Sequence, residues 1–155
     1  MSETQPATQG RSRFHVVIRA TPNTQLQTRT IALAGREIEA YIVPPELQAM
    51  PLGVSFEEAE EQLEAMSRMF VEPDGSFVWV SSSDEQPAWQ VDGNLYDRDG
   101  SLIAVDVKGT CSQMHLVQLF DVFRTAGREL MIEVVWDAIF IRERDFLDLL
   151  LTEAK

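Results

Sequence analysis

Two runs of alternating polar and apolar residues, 89–96 and 101–108, flank the tetrapeptide Asp97-Arg98-Asp99-Gly100. Such a pattern specifies an antiparallel hairpin, because a half-buried strand points successive side chains to opposite faces. A type I turn closed by Gly100 in the left-handed region sets the expected register. Counting outward, Tyr96 faces Leu102, Asn94 faces Ala104, Asp92 faces Asp106 and Gln90 faces Lys108. One face then holds Gln90, Asp92, Asn94, Tyr96, Leu102, Ala104, Asp106 and Lys108, and the other holds Trp89, Val91, Leu95, Ile103, Val105 and Val107. The register opposes two carboxylates, Asp92 and Asp106, at a cost of roughly a few tenths of a kcal/mol. Lys108 on the same face, a divalent cation shared by both acids, or screening by solvent would relieve it.

The rest of the chain supplies further strands and two helices. Residues 13–20 alternate Phe14, Val16 and Ile18 against His15, Val17 and Arg19 and read as a strand. Residues 28–43 read as a hairpin around Ala34-Gly35-Arg36, ended by Pro44-Pro45. Ser55 followed by Glu58 forms a capping box for a helix over 55–70, with Phe56, Ala59, Leu63, Met66 and Phe70 on one stripe and five glutamates away from it. A strand at 77–81 leads into the hairpin. A second helix at 112–126 stops at Gly127, and 129–141 reads as a strand in which Ile132, Val134 and Trp136 alternate. Residues 145–151 suit a short closing helix.

At 155 residues the chain is long enough for one core and short for two, so a single α+β domain over 13–155 is expected behind a disordered tail at 1–12. The expected architecture is a mostly antiparallel sheet of five or six strands with two main helices packed on it. The single Cys111 excludes an internal disulfide, and no apolar run reaches the roughly 18 residues of a membrane span, so a cytoplasmic location is expected. Net charge is −12, divided into +1 over residues 1–50 (five Arg, four acids) and −13 over 51–155 (eight basic, twenty-one acidic). That field opposes non-specific binding to phosphate backbones.

From Ser55 onward the expected order is helix, three strands, helix, strand, and it carries Asp92 followed by Asp106-Val107-Lys108. Over residues 55–136 this arrangement resembles the PD-(D/E)XK nuclease superfamily. The resemblance implies that Asp92 and Asp106 bind Mg²⁺, that Lys108 sits beside the attacking water, and that Glu64 or Glu61 on the first helix assists as a further ligand. Two carboxylates holding a hard cation lower the pKa of water and stabilise charge growing on a phosphodiester. Gly93 stands where that family more usually has a strand-forming residue. Cys111 and His115, four apart at a helix start, suggest a thiolate nucleophile, against the commoner alternative of an inert core cysteine. With two histidines and one cysteine there is no zinc set, and no glycine-rich phosphate loop is found. Trp79, Trp89 and Trp136 fall on expected strands, where burial is the ordinary role.

The function these features favour is a non-enzymatic binding or adaptor domain without a cofactor, whose partner is another protein or a second copy. The alternative is a Mg²⁺-dependent nuclease or phosphodiesterase using Asp92, Asp106, Glu64 and Lys108, or a degenerate relative that keeps the fold without the chemistry.

Overall fold

A computed structural model describes residues 13–125 and 127–153. The tail at 1–12 and Ala126, the expected last residue of the second helix, lie outside them. Local chemistry sets several element ends. Ser55 Oγ accepts from the Glu58 N–H and the Glu58 carboxylate accepts from the Ser55 N–H, each at 3.0 Å, so the capping box starts helix α1 (Phe56–Glu64). Ser112 caps α2 (Gln113–Phe123) through the His115 N–H. Strand β1 (Arg13–Ala20) buries Phe14, Val16, Ile18 and Ala20 at its alternate positions. Strands β2 (Gln27–Leu33) and β3 (Arg36–Ile42) are joined by Ala34-Gly35, whose φ angles of 53° and 76° suit a type I′ turn.

After α1 come β4 (Met69–Val71), β5 (Ser76–Val80), β6 (Gln90–Arg98) and β7 (Ser101–Thr110); after α2 come β8 (Leu130–Val134), β9 (Ile139–Arg142) and α3 (Glu143–Glu153). The expected five- or six-stranded sheet with two main helices is therefore corrected, among the described residues, to nine antiparallel strands and three α-helices. Three local outcomes add two strands to the seven runs read along the chain and make the closing helix a third main one. The first helix stops at Glu64 because Arg68 takes a left-handed φ of 62° and residues 69–71 pair with 77–79 of β5. Phe70, counted on the helix stripe, thus lies on a strand and is 59% exposed. The run 129–141 is broken by a 3₁₀ turn at Val135–Asp137 and by left-handed Ala138, which fold it into the β8–β9 hairpin and leave Trp136 65% exposed. The closing helix α3 matches α2 in length at eleven residues.

The sheet order is β2-β3-β9-β8-β1-β7-β6-β5-β4. One face is covered by the helices: Ala59 and Leu63 of α1, Leu116, Leu119, Phe120 and Phe123 of α2, and Phe146 and Leu149 of α3 join Val16, Ile18, Phe77, Val91, Val107 and Ile132 in one core. Burial of each large side chain of this kind contributes about 1.5–3 kcal/mol. Gly93 has a packing reason to be where it is. A Cβ there would stand 2.1 Å from Phe77 Cζ, so the Phe77 ring of the neighbouring strand lies across the glycine.

One charged group is enclosed where the helices meet the sheet. Glu143, at the start of α3 and 5% exposed, accepts from the Leu130 N–H at 3.0 Å and from Arg124 Nε at 3.2 Å, and its second oxygen takes Arg124 Nη2. The Glu143 hydrogen bonds hold the Arg124 guanidinium above its ordinary value. This pair ties the end of α2 to β8 and to the start of α3. Arg124 also pairs with Asp121, so it is the removal of Arg124 that leaves the enclosed Glu143 carboxylate without a compensating charge.

Arg124→Met is expected to lower unfolding free energy by about 3 kcal/mol in urea titration, whereas Arg142→Ala, which breaks the exposed pair with Asp145, shifts it by under about 1 kcal/mol. Gly93→Ala is expected to cost about 2 kcal/mol through overpacking, and adding Phe77→Leu to it recovers part of that loss, a coupling read from the double-mutant cycle.

Candidate functional site

The polar side chains singled out in the hairpin stand on the sheet face opposite the helices. They do not stand in the expected register. The turn is the two-residue Asp99-Gly100, with φ of 54° and 89°, and the register shifts between Tyr96 and Asp97, with Ile103 as the extra residue. Beyond that bulge Tyr96 faces Ala104, Asn94 faces Asp106 and Asp92 faces Lys108. The expected opposition of Asp92 and Asp106 is thereby corrected: a carboxylate faces an ammonium, and the two acids are diagonal neighbours. Gln90 Nε2 donates to Asp92 Oδ1 at 3.1 Å.

Asp106 has a partner from a distant part of the chain. Strand β1 pairs with β7 so that His15 faces Lys108 and Val17 faces Asp106. From there His15 Nε2 reaches both Asp106 oxygens at 3.0 and 3.1 Å. On the next strand Arg19 Nε donates to Glu133 at 2.9 Å, and Arg19 Nη1 donates to the Gln48 carbonyl at 2.7 Å, where the connector after β3 lies over one corner of the face. A continuous row of facing positions runs Thr28, Tyr41, Phe140, Glu133, Val17, Asp106, Asn94 and Ser76 from β2 to β5. Burial in this row, with Glu129 near by, holds the Tyr41 phenol above its ordinary value. At the far side Phe70 and Val78 continue the row of Asp92 and Lys108.

The charge balance of this face differs from that of the molecule. From β9 to β6 its strand positions carry five basic side chains, Arg13, Arg19, Arg98, Lys108 and Arg142, against three acidic ones, Asp92, Asp106 and Glu133. The whole chain is −12. Glu61 and Glu64, the helix acids implied by the nuclease resemblance, are not brought to Asp92 and Asp106. They line an open acidic surface of α1 together with Glu57, Glu58 and Glu60, and α1 packs on the other side of the sheet. Among the described residues, no group of three or more His, Cys, Asp or Glu is arranged to hold a metal ion.

A second cluster, invisible in the sequence, surrounds His115. Its ring lies 4.3 Å from the Trp89 ring and edge-on to Trp79 at 5.5 Å. His115 Nδ1 is 2.7 Å from Ser112 Oγ, and Nε2 is 3.7 Å from Glu85 Oε2, which also accepts from Trp89 Nε1 at 3.2 Å. A serine, an imidazole and a carboxylate in line would suit acyl transfer. Here the hydroxyl instead serves as the α2 cap, accepting the His115 N–H at 3.2 Å, and it does not line the neighbouring cavity of about 190 Å³ where a substrate would sit. Cys111, the other nucleophile considered, is 1% exposed. The cluster is a packing unit that docks the 82–87 loop on α2.

No protein-family model, curated protein or solved structure matches the chain. Because Asp92 and Lys108 form a partly exposed cross-strand pair, Asp92→Asn is expected to change stability by under about 1 kcal/mol in urea titration, with the difference shrinking in high salt.

Proposed function

We propose that this chain is a non-enzymatic protein-binding domain whose partner lies against the helix-free face of the sheet. The observation that carries this reading is the placement of Asp92, Asp106 and Lys108. They stand on an open sheet surface, pair with Gln90, His15 and one another's strands, and have the sheet between them and the α1 carboxylates. A phosphodiesterase centre needs the opposite: converging ligands in a cleft where few solvent dipoles compete.

Two properties suit this face to a protein partner. Its charges show only a small basic excess, so docking there does not set the net −12 of the molecule against the partner. Its margins carry exposed aromatic side chains, Phe70 beside Val78 and Tyr96 beside the bulge, the residue types that anchor interfaces. Nucleic acid is a poorer fit, because the small basic excess of this face is set among acids in a chain of net charge −12, which opposes a phosphate backbone. Among the described residues no helix is long and apolar enough to cross a membrane.

A photo-crosslinking amino acid placed at Val78 is expected to capture a discrete protein in the native cell, while the same probe at Glu61 on the helix side captures none, and Phe70→Glu abolishes the product. Calorimetry with Mg²⁺ decides against the alternative or for it. No saturable heat at millimolar metal is expected; saturable binding lost in both Asp92→Asn and Asp106→Asn would replace this reading with the metal-dependent one.

A further inference from the structure

We infer that β2 is the edge along which two copies of this chain pair, antiparallel and about a two-fold axis, so that their sheets continue one into the other. The two ends of the sheet are built differently. At one end β4 is only three residues long and runs into Glu72-Pro73, a short edge of the kind that resists pairing. At the other end β2 pairs with β3 in seven unbroken steps, contains no proline, glycine or bulge, and carries a single charge, Arg29. Among the described residues no strand lies beyond it.

The turn geometry states which backbone groups β2 offers. In a hairpin closed by two residues, the flanking pair Leu33 and Arg36 exchanges both hydrogen bonds, and the pattern alternates from there. Arg29, Ile31 and Leu33 therefore bond to β3, while Thr28, Thr30 and Ala32 direct N–H and C=O outward. A two-fold axis normal to the sheet keeps each face on its own side, so facing residues must share a face. With Thr30 opposite its own copy, Thr28 faces Ala32 and Ala32 faces Thr28, which makes three reciprocal pairs of two N–H···O bonds each. Centring on Ile31 loses one of these pairs into the turn. Centring on Arg29 sets two guanidinium groups against each other, which is unfavourable.

The occupant is a second copy because strand and charge are both self-complementary. Residues 27–42 hold Arg29 and Arg36 against Glu37 and Glu39, a net charge of zero in a chain of −12. The acidic remainder of two molecules repels, and this hairpin is where they meet at least electrostatic cost. Glu39 is already engaged: the Thr30 hydroxyl first, then that of Thr28, hold its carboxyl below the ordinary glutamate value. In the resulting pair both helix-free faces lie on the same side. Pairing through β2 leaves both of these faces uncovered.

The test uses the full chain in sedimentation equilibrium over about 1–100 µM, with amide exchange of residues 27–33 followed over the same range. Mass is expected to rise from monomer to dimer as the outward amides of Thr28, Thr30 and Ala32 gain protection. Thr30→Lys and Thr30→Glu, which leave the backbone intact, are each expected to weaken pairing at least about tenfold and to pair with each other when mixed. Thr30→Val, which keeps the outward N–H and loses only the bond to Glu39, is expected to pair like the parent. A monomer at every concentration overturns the inference, as does failure of the mixed charge variants to pair. Protection of these amides in a species of monomer mass also overturns it.

Discussion

Everything in this structure depends on β1 lying between β7 and β8. On one side Val16 and Ile18 face Val107 and Val105, and on the other they face Val134 and Ile132, so one strand joins two hairpin systems that are otherwise separate. Both residues are fully buried, and α2 and α3 close over the seam through Phe120 and Phe146, whose rings meet at 6.3 Å. A central strand drawn from the start of the chain buries side chains against both halves at once. Hydrophobic burial at the seam stabilises the whole sheet.

The same insertion composes the uncovered face. β1 brings His15 to Asp106 and Arg19 to Glu133 across separations of 91 and 114 residues. His15 hydrogen-bonds Asp106 and Arg19 pairs with Glu133, so each of these two acids has a side-chain partner on that face. Catalysis by a hard cation asks for carboxylates crowded together against their mutual repulsion, held by surrounding structure. Here the acids stand apart with separate partners, Gln90 for Asp92, His15 for Asp106 and Arg19 for Glu133.

Helices confined to one side leave two other kinds of unfinished surface, a broad face and an edge. They differ in what completes them. A face is completed by side chains, so its occupant is specified by shape and charge; an edge is completed by backbone, so any strand of suitable register serves and specificity must come from symmetry and from avoided clashes. The contrast between the three-residue β4 and the seven-residue β2 shows that one edge is blunted and the other is not.

Local chemistry was legible in the sequence where neighbours along the chain decide the outcome. The Ser55–Glu58 capping box, the Ser112 helix start and the alternation that buries Phe14, Val16 and Ile18 all depend on residues within a few positions of each other. Tertiary contacts decided the rest. Met66 and Phe70 continued the helical spacing, but ladder bonds to β5 claimed 69–71 as a strand. Gly93, an oddity in a strand when read alone, became necessary once Phe77 lay across it. The hairpin at 90–110 was foreseeable, but its register was not: Leu102 hydrogen-bonds to Leu52 and Val54 of another segment, the extra residue is taken up as a bulge, and Asp92 slides from opposite Asp106 to opposite Lys108. Turn residues set a register only as far as no third strand competes, and the partner of Asp106, a histidine near the start of the chain, is a matter of strand order that no local pattern encodes.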